Sequence, residues 1–357
     1  MASYRIKIST SIGSSLTGII GNAKFPKCKA GDVGDKFTFR SSCIIIECKR
    51  SNLQKKEEVE NNPGNTLHIQ IMKALLLYYA ANLQKARVYS ISVTHITNAG
   101  KTVVSEIKYS QKNQPLILRT VPAGLAFNQA DLVQNVLAED SHLFETILSH
   151  WLGACAVKDR YDVFSRLWRC LEQLSIKVHH AAGTTEKVRL ESLRTFIRNN
   201  AATIPLSCSH VDTMTYDDFR SYSWKLLIFN NFSRTAKIGT YEAYRDHFVV
   251  PYTDERVAHM LQDTLVYRNG ELNSYGLLID VNNHLSTVLG NPVKKDEDIV
   301  AILCGCYAYY IRNKFFHGEF SERSFSICRS REDDIIDKLN ALMVKLTFEL
   351  INAYQVL

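Results

Sequence analysis

Arg312, Asn313 and His317 are the residues of this 357-residue chain whose types and spacing suit chemistry best. They lie in the segment YYIRNKFFHG, Tyr309 to Gly318, with four residues between the arginine and the histidine. An RNA strand carries its own nucleophile, the 2′-hydroxyl. Attack on the adjacent phosphate leaves a 2′,3′-cyclic phosphate and a 5′-hydroxyl. A histidine titrates near neutrality and can move the protons of that reaction. An arginine stays charged, and its fork can hold the extra negative charge on the transition-state phosphate. Asn313 can hydrogen-bond a phosphate oxygen or hold Arg312 in place. The same cations also suit the negative end of a helix dipole without any catalytic role.

Their positioning sets a condition. Five steps of about 100° put Arg312 and His317 roughly 140° apart on an ideal helix. They converge only if His317 sits at the fraying end, where Gly318 suits a C-terminal cap. The periodicity predicts a helix over 296–316, with Ile299, Leu303, Cys306 and Tyr310 on one apolar stripe. Further helices are expected at 161–179, 188–197, 217–229 and 331–354, the last with Ile335, Leu339, Leu342 and Leu346 inward. The stretch 234–295, with Pro251, Asn269-Gly270 and Gly290-Asn291-Pro292, reads as an irregular insertion or a set of shorter helices.

The N-terminal part differs in character. Runs rich in Ile, Val, Thr, Tyr and Phe predict strands at 4–9, 36–40, 43–48, 87–95 and 102–109. A helix is expected over 66–83, and the polar stretch 51–65 with Pro63-Gly64 reads as a loop. The expected fold class is α+β. Residues 1–125 form a mixed strand and helix domain with a sensing or regulatory role, and 126–357 form a helical bundle.

Arg312-Asn313 followed by His317, on a helix with a long final helix after it, resembles the catalytic motif of the HEPN superfamily. The helix at 161–179, opening with Phe164-x-x-Leu167-Trp168, is similar to an earlier helix of that bundle. The resemblance spans roughly residues 140–357 and is specific at the motif. It implies an endoribonuclease that needs no metal or other cofactor. Arg312, His317 and Asn313 would be its catalytic residues and RNA its substrate. It also implies a homodimer in which the two motif helices share one cleft, and a prokaryotic antiphage or toxin setting with an antitoxin or other defence-system partner. A variant of the resemblance is a bundle that binds a nucleotide or partner without cutting.

A second constellation belongs to a different chemistry. Ile44-Ile45-Ile46-Glu47-Cys48-Lys49, an apolar run ending in Glu-x-Lys, resembles the core of restriction-type nucleases. With Asp35 or Asp32 upstream, Glu47 would hold Mg²⁺ and Lys49 would position a water for DNA cleavage. Glu-x-Lys at a solvated strand end is the plainer reading. His179-His180 reads as a helix end, and Glu172 as a surface carboxylate or a brace for Arg312. Tyr309 is free to stack on a base, whereas Tyr310 belongs to the core.

Composition narrows the field without choosing. Hydrophobic residues make up 46% and charged residues 22%, as in an ordinary chain with a core. The net charge of +7 permits a polyanionic partner without demanding one. The nine cysteines are scattered, with no C-x-x-C pair, so they read as buried small hydrophobes. No apolar run is long enough for a bilayer, and MASYRIKIST lacks a signal-like centre, so the expected location is cytoplasmic.

Overall fold

The computed structural model describes residues 1–11, 15–25, 34–180, 183–233, 236–316 and 330–357, with the side chain of Phe316 left aside. The fold is α+β. Two compact units divide between Arg166 and Leu167.

The first unit, residues 1–166, is built on an antiparallel sheet of order β2-β3-β4-β1-β5-β6. The strands are β1 (Ala2–Thr10), β2 (Ile20–Ala23), β3 (Asp35–Phe39), β4 (Cys43–Arg50), β5 (Val88–Thr97) and β6 (Gly100–Lys108). Alternation decides which face is inside. Tyr4, Ile6 and Ile8 of β1 and Ile44, Ile46 and Cys48 of β4 are buried. Arg5, Lys7, Glu47 and Lys49 on the opposite face are exposed.

The stretch expected as a loop contains a short helix, α1 (Lys56–Asn61), because Val59 is only 2% exposed and pins it. Next comes α2 (Thr66–Asn82), capped by Asn65, whose side chain accepts from the N–H groups of Leu67 and His68. α2 packs with α3 (Gln129–Leu137) and α4 (His142–Ala156), so both of these helices fall in the first unit. The division runs through α5 (Arg160–His179).

The second unit, residues 167–357, is helical where described. After the end of α5 come α6 (Glu186–Asn199), α7 (Pro205–Asp212), α8 (Tyr216–Arg220) and α9 (Trp224–Asn231). The single helix expected over 217–229 is therefore two. The Ser223 N–H goes to the Tyr307 hydroxyl, 3.0 Å away, rather than to a helical carbonyl. Tyr222 and Trp224 close around the Tyr307 ring at centroid distances of 5.0 and 5.1 Å.

The stretch 234–295 is likewise helical where described: α10 (Ile238–Tyr244), a π-helical turn over 245–249, α11 (Glu255–Leu265), α12 (Asn269–Ser274) and α13 (Leu278–Gly290). The helix expected over 296–316 is continuous but not uniform. α14 (Asp296–Ala301) passes through a π-helical turn at Ile302–Tyr307 into α15 (Ala308–Phe316). It is buried almost all round. From Asp298 to Ile311 only Cys306 and Tyr309 are even half-buried, so the expected one-sided stripe is instead the centre of the bundle. α16 (Arg331–Asn352) closes the unit, with Ile335, Leu339, Leu342 and Leu346 all buried as expected.

Candidate functional site around Arg312

Antiparallel packing of α6 along the central helix brings the site together. Three contacts fix the direction. Arg198 Nε lies 3.2 Å from Asp298 Oδ1, and Arg194 lies across Gly305. Arg312 Nη2 lies 3.5 Å from Glu186 Oε1. Residue numbers fall on one helix as they rise on the other. Gly305 makes the approach possible: a Cβ there would stand 2.3 Å from Arg194 Cγ, a distance no pair of carbons tolerates. Two helical turns further on, Arg312 leaves the buried part of the helix. Its side chain is 23% exposed, as is that of Glu186.

Asn313 accepts from Arg312 Nη1 at 3.0 Å. The guanidinium is thus held by a charged partner on α6 and an amide on its own helix. Glu172 of α5 belongs to the same electrostatic group. Burial first, and Glu186 second, raise its carboxyl above the ordinary value of 4.5, while Arg312, Arg189 and Arg169 pull it back. The group therefore has three arginines and two carboxylates. Tyr309, one turn before Arg312, is half-buried with its ring 5.9 Å from that of Trp168. The Trp168 indole N–H is buried and meets no acceptor among the described residues. Tyr310 is core, 1% exposed, and Lys314 lies over its ring at 5.3 Å.

His317 and Gly318 lie outside the described residues, so no geometry relates the histidine to Arg312. Glu186, Arg189 and Arg169 went unnoticed in the sequence. Glu186 is the first residue of α6, where an acid is explained by the helix dipole alone. Only the fold shows that it serves Arg312.

The Glu47 constellation is not brought together. Asp35 precedes Lys36, the register partner of Glu47, so its side chain lies on the buried face, and it is 1% exposed. Both its oxygens are taken by Arg50, at 2.8 and 2.6 Å. Glu47 stands on the exposed face, paired with Arg5 at 2.9 Å. The two carboxylates are on opposite sides of the sheet, so they cannot share one ion. Asp32 lies outside the described residues.

His179 meets the Ser192 hydroxyl at 2.8 Å, and His180 the Leu357 carbonyl at 2.7 Å, so the two rings have separate partners. Among the described residues no three His, Cys, Asp or Glu side chains group as metal ligands. The seven described cysteines are all free, and burial pushes the Cys155 thiol up to about 12, far from nucleophilic use. No described helix is long and apolar enough to cross a membrane. Comparison with family models, with curated proteins and with solved structures gives no match.

Proposed function

We propose that the chain is an endoribonuclease of HEPN type that cuts RNA through its own 2′-hydroxyl. The observation that carries the reading is the held guanidinium of Arg312. It sits at the end of a buried helix, fixed by Glu186 and Asn313, with Arg189 and Arg169 acting beside it on the Glu172 carboxylate. A fixed, always-charged fork is what a phosphate transition state needs. Asn313 holds Arg312, and His317, five residues on, moves the proton. The mechanism needs no metal because the substrate supplies the nucleophile and these side chains supply the charge and the proton transfer.

The reading includes a homodimer. Arg312 and His317 diverge on an ideal helix, and a second copy can present its histidine beside the first copy's arginine. It also includes a cytoplasmic role in antiphage defence or as a toxin, with a partner that restrains or triggers the nuclease. RNA incubated with the purified chain in EDTA tests the activity. Cleavage leaving a cyclic phosphate is expected, and it is lost in Arg312→Ala and His317→Ala.

A further inference from the structure

The first unit holds a cavity of about 400 Å³, partly open to solvent, that the nuclease reading does not use. A volume of this order falls in the range of small-molecule sites. Its walls are apolar: Ile71 and Leu75 of α2, Val93 of β5, Ile107 of β6 and Leu152 of α4. It follows α2 from His68 to Tyr79, a length of about 16 Å. Met72, 44% exposed, and half-buried Leu76 are on the same lining, so apolar surface reaches solvent there.

The charged side chain that lines the cavity is an acid at one end and a base at the other. At the start of α2 stand Glu60, His68 and Ser105, with the Ser105 hydroxyl donating to Glu60 at 2.5 Å. Arg166 belongs to the other end, as a chain of hydrogen bonds shows. The Leu116 N–H donates to the Tyr79 hydroxyl at 3.3 Å, and Gln84 to the Val121 carbonyl at 3.1 Å. The segment between them, through the Arg119 N–H, binds the Cys155 carbonyl at 2.7 Å. The last turn of α4 therefore lies with the end of α2. Gly153 in that turn seats Arg166, since a Cβ there would be 2.7 Å from Arg166 Nη1. The Arg166 ion pair with Asp162 is open to solvent, at 38% and 44% exposure, and such pairs are weak enough to exchange.

We infer that this cavity binds a single-tailed amphiphile with an anionic head group, its tail along α2 and its head on Arg166. Glu60 repels an anion from the opposite end, so the ligand enters one way round. The inference does not depend on the nuclease reading.

Calorimetric titration of the full chain with monomeric dodecanoate, dodecylamine and dodecanol tests it. One dodecanoate per chain is expected, with the amine at least about ten-fold weaker. Arg166→Ala should weaken dodecanoate about ten-fold, and Ile107→Trp, which fills the cavity, should abolish binding. Circular dichroism checks both variants. Should either fail to fold, the carboxylate and amine comparison on the unaltered chain decides. Equal affinity for the two head groups, no binding at all, or unchanged binding in folded Ile107→Trp would overturn the assignment. A parallel arm with phosphatidylglycerol vesicles separates a free amphiphile from a membrane surface. Vesicle association without binding of monomeric dodecanoate would also overturn it.

Discussion

Arg312 and Glu186 face each other from antiparallel helices, the guanidinium Nη2 3.5 Å from the carboxylate Oε1. Both are about three-quarters buried, so the pair is partly shielded but still reached by water. Its worth is of the order of 1 kcal/mol. Its consequence is positional, because a long arginine side chain has much freedom to lose. Glu186→Gln should lower kcat for RNA cleavage about five-fold with little change in KM. Steady-state kinetics on a short RNA would show it. An unchanged kcat would mean that Glu186 does not position the arginine.

Arg312→Ala should abolish cleavage, and Arg312→Lys should restore little, because a point charge does not reproduce the fork. Asn313→Ala should be milder, with a loss of ~1–3 kcal/mol in transition-state stabilisation. Single-turnover rates on folded variants rank the three. A lysine variant as active as the unaltered chain would contradict the role given to the guanidinium.

The two carboxylates of the Glu47 constellation should behave differently. Asp35→Ala leaves the buried Arg50 without its partner, at a cost of ~3–5 kcal/mol to the first unit. Glu47→Ala breaks an exposed pair worth less than about 1 kcal/mol. Urea unfolding measures both. Loss of nuclease activity in a fully stable Glu47→Ala protein would revive the metal-dependent reading.

Glu172 supplies a pH test. Its carboxyl is raised in the folded chain, chiefly by burial and then by Glu186. The folded state therefore holds this proton more tightly than the unfolded state does. Its favourable contribution is present at low pH and is lost as pH rises from the ordinary carboxylate range through the raised value. Glu172→Gln should remove that decline, so the variant gains on the unaltered chain as pH rises across the window. Denaturation curves of both proteins at pH 4 and pH 7 decide it. Parallel pH dependence would show that the carboxyl is not raised.

Five of the six described strands were legible because runs rich in β-branched and aromatic residues, such as YRIKIS and RVYSISVTH, favour extended chain. β2 was not, since its residues IGNA bury only Ala23 and carry no alternation. The helices α5, α6 and α16 were legible for the matching reason, whereas α4, with eight of its fifteen residues buried, was not singled out. The break between α8 and α9 was hidden because it depends on the Tyr307 hydroxyl, 84 positions away in the chain. The π-helical turn at 302–307 was hidden because a local change of period leaves no mark in an unbroken apolar run. At the site, the sequence offered Arg312 and Asn313 as neighbours with complementary groups, and they do bond. Glu186 could not be read, because its relation to Arg312 exists only through the approach of α6 at Gly305.

The shared cleft makes its own prediction. If Arg312 of one copy works with His317 of another, Arg312→Ala and His317→Ala chains are each inactive alone but contain one complete pair when mixed. Exchange of subunits should restore a measurable fraction of the unaltered rate. Mixtures that stay inactive although mass measurement shows the mixed dimer would contradict the arrangement.

Metal-free cleavage by Arg312 and His317 is tested by mass spectrometry of the RNA ends produced in excess EDTA by the unaltered chain and by folded His317→Ala. Attack by the 2′-hydroxyl gives 2′,3′-cyclic phosphate and 5′-hydroxyl ends from the unaltered chain, and the variant leaves the RNA intact. Ends bearing a 5′-phosphate that form only when Mg²⁺ is restored, or cleavage by His317→Ala at the unaltered rate, would contradict it.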